Sequence, residues 1–152
     1  MTKEAMENIM NQAGPCGIVC SSCPLGNGTI AETARRTVDF IRDYKILEWA
    51  PFVPEGAEVD WAQVARGLDW MTKYTLCAGC EMGGGPPDCT IRICARERGY
   101  ELCSLCDELE TCARFDWLGD HGTRLKETLK RSRGKSKEEY IEAAGDRTPW
   151  EV

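Results

Sequence analysis

The chain has 152 residues, 42% hydrophobic and 29% charged, which is globular composition with room for one core of modest size. Its net charge of −6 and pI of about 4.9 argue against nucleic acid and anionic membrane as partners of the molecule as a whole. No apolar run is long enough to span a bilayer and no basic start leads into an apolar one, so the expected location is the cytoplasm. In that reducing compartment the ten cysteines are expected as thiols or metal thiolates, not as a disulfide framework.

Taken in chain order, residues 2–12 predict a short helix stopped by Gly14-Pro15. A turn-rich knuckle over residues 15–28 carries Cys16, Cys20 and Cys23. Ile30, Ala34, Val38 and Ile41 recur at helical spacing and predict a helix over residues 30–49, ended by Pro51 and Pro54. Asp60, with Gln63 three residues on, predicts a capped helix start. Trp61, Val64, Ala65, Leu68 and Met71 then share one face, read as core packing in preference to a cofactor platform.

Residues 74–87 form a second knuckle with Cys77 and Cys80 and a Gly83-Gly84-Gly85-Pro86-Pro87 loop. That loop lacks the preceding strand and following Lys-Ser or Lys-Thr of a phosphate cradle. Asp88 is placed to cap a helix over residues 89–98, which carries Cys89 and Cys94 and ends at Gly99. A third knuckle holds Cys103 and Cys106, followed by a helix over residues 107–118 with Cys112. From Thr123 a basic helix follows with Leu125 and Leu129 on one face; residues 123–137 hold seven Lys or Arg against Glu127 alone. Ser136 and Glu139 make a capping box for a last helix that stops at Gly145. No segment alternates like a strand. The expected fold is mainly α, a small irregular helical domain stapled by cysteine-rich metal knuckles with little or no sheet. Its organisation is a metal-binding domain over residues 1–122 and a basic helical extension over 123–152, packed on it or trailing from it.

Three Cys-x2-Cys pairs, Cys20/Cys23, Cys77/Cys80 and Cys103/Cys106, carry the chemistry. Two intervening residues let a tight turn aim both sulfurs at one ion. Cys16, Cys89, Cys94 and Cys112 extend the pairs, so all ten cysteines are candidate metal ligands; the single histidine, His121, makes thiolate the dominant donor. The most local partition joins Cys77, Cys80, Cys89 and Cys94, with Cys20, Cys23, Cys103 and Cys106 as a second site; another joins Cys77 and Cys80 to Cys103 and Cys106. Spacing does not choose between them. Arg92, Arg96, Arg98 and Arg114 stand near cysteines in sequence and could offset thiolate charge, or could simply be solvated. Two zinc sites are favoured because the ligands suffice for two tetrathiolate shells. The alternative is a [4Fe–4S] cluster, suggested by the compact Cys16, Cys20, Cys23 triplet followed by Pro24.

The order Cys16-Gly17-x-x-Cys20-x-x-Cys23-Pro24, Cys77-x-Gly79-Cys80, Cys89-x-Ile91-Arg92-x-Cys94-Ala95, Cys103-x-x-Cys106 and Cys112 resembles a small cysteine-rich domain family of bacteria and archaea. That family is of unknown function and is regarded as zinc-binding. The resemblance covers about residues 15–118 and implies one cytoplasmic domain, metal at these cysteines, and no established reaction. The chain departs from the family pattern in the loop at residues 83–87 and in the basic tail after Leu118.

Closed thiolate shells leave no open coordination position, so the expected function is a non-catalytic, metal-stapled module that binds a protein partner. An iron–sulfur electron carrier or redox sensor is the alternative. A thiol nucleophile activated by His121, with Asp116 or Asp120 orienting it, and nucleic-acid binding by the basic stretch are weaker readings.

Overall fold

The computed structural model describes residues 11–144. Among the described residues the regular elements are helical and no strand is present; one isolated antiparallel bridge joins Ala13 to Val19. The α-helices are α1 (Thr29–Asp43), α2 (Ile46–Trp49), α3 (Trp61–Tyr74), α4 (Thr90–Glu97), α5 (Gly119–Arg131) and α6 (Lys137–Ala144), linked by short 3-10 turns. The fold is therefore a small mainly-α one. No described helix is long and apolar enough to cross a membrane. Most of the helix predicted over residues 2–12 lies outside the described residues.

The chain divides into two compact units, Gly28–Leu76 and the remainder on either side of it. In the inserted unit α1 and α3 pack together. Gly28, at the head of α1, lies against Leu76 just past the end of α3, so the pair is an antiparallel hairpin. The helix predicted over residues 30–49 breaks after Asp43, where Lys45 takes the left-handed conformation (φ 52°) and restarts the chain as α2. Asp60 caps α3 as its spacing predicts, its Oδ1 accepting from the Gln63 amide at 3.1 Å. The buried positions of this unit are small: Ala31, Ala34, Ala50 and Gly56. The expected α3 face is only partly covered, since Trp61, Ala65, Leu68 and Met71 are half-buried and Val64 is exposed.

The other unit holds the hydrophobic core, in which Ile91 and Ala95 of α4, Leu102, Leu109, Phe115, Leu125 and Leu129 of α5 and Tyr140 of α6 pack around Ala13, Val19, Cys16 and Cys103. Two cysteines are thus core residues. Leu125 and Leu129 form the buried stripe that their spacing predicts. Ser136 and Glu139 close the expected capping box, the Ser136 amide donating to Glu139 at 2.7 Å and the Glu139 amide to Ser136 Oγ at 3.1 Å. The helix expected over residues 107–118 is instead a run of turns followed by a 3-10 helix, Ala113–Leu118. The turn amides of Leu109 and Cys112 donate three residues back, to Cys106 and Leu109, and the covered positions Cys106, Leu109, Cys112 and Phe115 recur every third residue, the 3-10 period and not the α-helical one.

Candidate metal centre

The first and third knuckles fold alike. In each, a buried apolar residue in extended conformation, Val19 or Leu102, leads into a 3-10 turn, Cys20–Ser22 or Cys103–Leu105, and the second cysteine amide returns to the first cysteine carbonyl at 3.2 or 3.0 Å. A buried serine, Ser21 or Ser104, follows the first cysteine in both. The Cys20 amide donates to the Gln12 carbonyl and the Cys103 amide to the Pro15 carbonyl, so one N-terminal segment aligns both turns. The second knuckle differs. Its turn is Cys80–Met82, Gly79 takes φ 86°, and the Gly79 amide donates to Cys77 Sγ at 3.4 Å. Buried Gln12 reaches into it, donating to the Ala78 carbonyl and accepting from the Glu81 amide. No space remains beside Gly79 for a Cβ, which would collide with the Gln12 amide group.

All ten cysteines are free thiols. They fall into two neighbourhoods that differ from the local partition, with Cys16 facing both, since its charge bears on Cys103 as those of Cys80 and Cys89 bear on it. Cys94, Cys103, Cys106 and Cys112 line one small cavity of about 20 Å³, together with Arg98 and Arg114. Cys94 thus stands with the third knuckle, because α4 turns its side chain into the cavity that Cys103, Cys106, Leu109 and Cys112 line. In the other neighbourhood Cys20 feels the charges of Cys80, Cys23 and Cys77, and Cys16 those of Cys80 and Cys89. A Cβ on Gly14 would stand 3.1 Å from Cys80 Sγ and 3.3 Å from Cys16 Sγ, so those two sulfurs crowd one space. Among the described residues no three His, Cys, Asp or Glu side chains close to ligand distances.

The surroundings of the buried sulfurs disfavour the thiolate form. Burial, reinforced by neighbouring thiols, pushes Cys103 up to about 12 and Cys20 up to about 12. Burial pushes Cys16 up to about 11. Cys80 is also raised by burial, against which Arg92 pulls it down. Buried thiols that repel one another's ionisation are poor nucleophiles, and a divalent ion relieves both the desolvation and the repulsion.

The cationic side chains stand where thiolate charge would need them. Arg92 is 6% exposed, and its guanidinium donates to the carbonyls of Gly84, Pro86 and Pro87. It makes no ion pair with a carboxylate among the described residues, and Cys80 is its acidic neighbour. Arg96 donates to the Cys80 carbonyl at 3.2 Å. Arg98 donates to Cys106 Sγ at 3.6 Å and pairs with Glu108 at 2.6 Å. Sequence reasoning missed Lys126 and Arg133, which bind the carbonyls of Cys112 and Cys106 at 3.2 Å each. Lys126 also lies 5.9 Å from the Phe115 ring centroid. The excess of Lys and Arg in that stretch was the only signal, and it reads equally as a solvated face.

Lys130 pairs with Glu110 and Lys137 with Glu81, so much of the basic stretch is engaged by its own molecule. His121 stands exposed in the first turn of α5, with Asp116 and Asp120 exposed near it; it shares a cleft with Cys23, and no hydrogen bond joins the two. Comparison with curated proteins and with solved structures gives no match in either. A model of a family described as protein of unknown function (DUF3795) matches residues 12–117, a stretch that holds every cysteine, and the chain belongs to that family.

Proposed function

We propose that this chain is a zinc-stapled, non-catalytic cytoplasmic module that presents its helical hairpin to a protein partner. The observation that carries the metal reading is the cavity of about 20 Å³ lined by Cys94, Cys103, Cys106 and Cys112. Four thiolates around Zn²⁺ make a closed tetrahedral shell that binds structurally and leaves no position for substrate. A second ion would be held by the pairs Cys20/Cys23 and Cys77/Cys80, with Cys16 and Cys89 beside them. Arg92, Arg98, Lys126 and Arg133 would offset the net charge of the two thiolate shells.

The partner reading rests on the hairpin unit, which exposes Phe40, Tyr44, Trp49, Phe52, Trp70 and Tyr74, with Phe52 at 87%. Phe40 and Tyr44 lie one helical turn apart with ring centroids at 6.2 Å, and Trp70 and Tyr74 repeat the arrangement at 5.6 Å. Exposed aromatic residues in this number mark an interaction surface more often than a bare one.

Elemental analysis and an optical spectrum of protein purified without oxygen test the metal reading. Two zinc ions per chain and no visible absorption are expected. Iron with acid-labile sulfide and a broad visible band bleached by dithionite would replace it with the iron–sulfur carrier.

A further inference from the structure

Apart from the thiol groups, one cleft of the larger unit has its own chemistry. It has a volume of about 380 Å³ and lies between the first knuckle and the α5–α6 pair. That is within the usual range for small-molecule sites. Ile18, Val19, Pro24 and Leu125 supply apolar wall, and Ser22, Thr128, Ser132 and Tyr140 supply hydroxyls.

All four hydroxyl protons are committed to backbone carbonyls. Ser22 donates to Val19 at 3.0 Å, Thr128 to Arg124 at 3.0 Å, Ser132 to Thr128 at 2.8 Å and Tyr140 to Gly17 at 2.9 Å. A hydroxyl has one proton and two lone pairs, so what these groups keep for a visitor is acceptor capacity. Thr128 and Ser132 also sit at the C-terminal end of α5, the negative end of its dipole. Among the described residues no Lys, Arg, Asp or Glu lines the cleft, and His121 is the one titratable nitrogen among them. An anion would find almost no donor there, and a hydrogen-bond donor would find several acceptors beside apolar wall.

We propose that this cleft binds a small molecule that presents a primary ammonium from a compact hydrocarbon body. The hydrocarbon packs on Ile18, Pro24 and Leu125, and the N–H groups bond to hydroxyl oxygens near the end of α5. Because Cys23 lines one side, the ligand would rest beside the first knuckle and couple its occupancy to that turn. The site does not depend on which metal the sulfurs hold.

The test is an NMR titration of the metal-loaded full chain with benzylammonium and, separately, with benzoate, a probe of similar size that carries an anionic pair of acceptors in place of cationic donors. Benzylammonium should shift the amides of Gly17, His121, Thr128 and Tyr140 saturably, and benzoate should bind at least about tenfold more weakly. Thr128→Val keeps the shape, removes one acceptor, and should weaken benzylammonium about three- to tenfold with metal content unchanged. Ala143→Phe, which fills the cleft, should abolish binding. Equal binding of benzoate, the absence of saturable shifts at these residues, or an unchanged affinity in Thr128→Val would overturn the proposal; the last reading stands even if Ala143→Phe fails to fold.

Discussion

Arg92 shows how much one side chain holds in a small core. A guanidinium taken out of water is tolerated only when its five donors find partners, and here three carbonyls of the residue 84–87 loop supply them. Gly84, Pro86 and Pro87 are thereby tied to α4, and Gly84 is held against Cys77 and Gly79. Arg92→Met should lower the stability of the metal-loaded chain by about 3 kcal/mol in urea denaturation, because it strands those carbonyls. Arg92→Lys should not restore it, since one ammonium does not span three acceptors in the fork geometry. A loss below about 0.5 kcal/mol in Arg92→Met would refute this account.

Gly17 makes the same point through backbone. Its φ of 90° is one that residues with a Cβ avoid, and an added Cβ would meet the Tyr140 hydroxyl at 2.6 Å and Leu129 at 3.1 Å. Gly17→Ala should therefore cost about 2–3 kcal/mol and release α6, seen as lost hydrogen-exchange protection at Tyr140. Retained protection would show that α6 is anchored elsewhere. The motif Cys16-Gly17 was visible in the sequence, but the partner that makes glycine necessary lies more than a hundred residues away.

Among the elements, the knuckles and two of the three expected caps were legible; Asp88 does not cap α4, which Cys89 heads with no side-chain cap. Cys-x2-Cys spacing dictates a tight turn whatever surrounds it, and Asp60/Gln63 and Ser136/Glu139 cap their helices as their spacing requires. Ser136→Ala should cost about 1 kcal/mol and fray the start of α6, measurable by amide exchange over that turn. The break at Lys45 and the turns over residues 107–112 were not legible, because each depends on what the side chains meet after the chain has folded back. Periodicity extends a helix through such points; tertiary contacts end it.

The grouping of the elements makes a sharper forecast. If Cys94 shares an ion with Cys103, Cys106 and Cys112, then Cys94→Ser and Cys80→Ser remove different ions. Native mass spectrometry should show each single variant short of one zinc and the double variant short of two. The local partition instead puts both residues on one ion, and the double variant would then lose no more than either single. That outcome would dissolve the two-neighbourhood assignment.

At the scale of the molecule, two units share the stability unequally. The larger has a continuous apolar core in which Cys16 and Cys103 are members, so two of the thiols belong to that core. Structural zinc sites contribute on the order of 10–16 kcal/mol of apparent binding energy, against about 5–15 kcal/mol of net stability for a whole domain. Stripping metal with a strong chelator under reducing conditions should collapse the near-ultraviolet signal and the amide protection of this unit together. A chain that keeps both after complete metal loss would show that its apolar core suffices. The hairpin unit buries little beyond alanine and glycine, so its exposed aromatic rings are its main unused source of binding energy.

By itself the sequence determined the helical class, the caps at Asp60 and Ser136, and the stripe of Leu125 and Leu129. These follow from spacing and side-chain chemistry within a few residues, where the chain has no choice of neighbour. Only the tertiary structure decided that Cys94 stands with Cys103, Cys106 and Cys112, that Arg92 is buried beside Cys80, and that Lys126 and Arg133 cover the knuckle carbonyls. Those contacts join residues far apart in the chain, and their partners are selected by how the buried core closes around them, which no local pattern encodes.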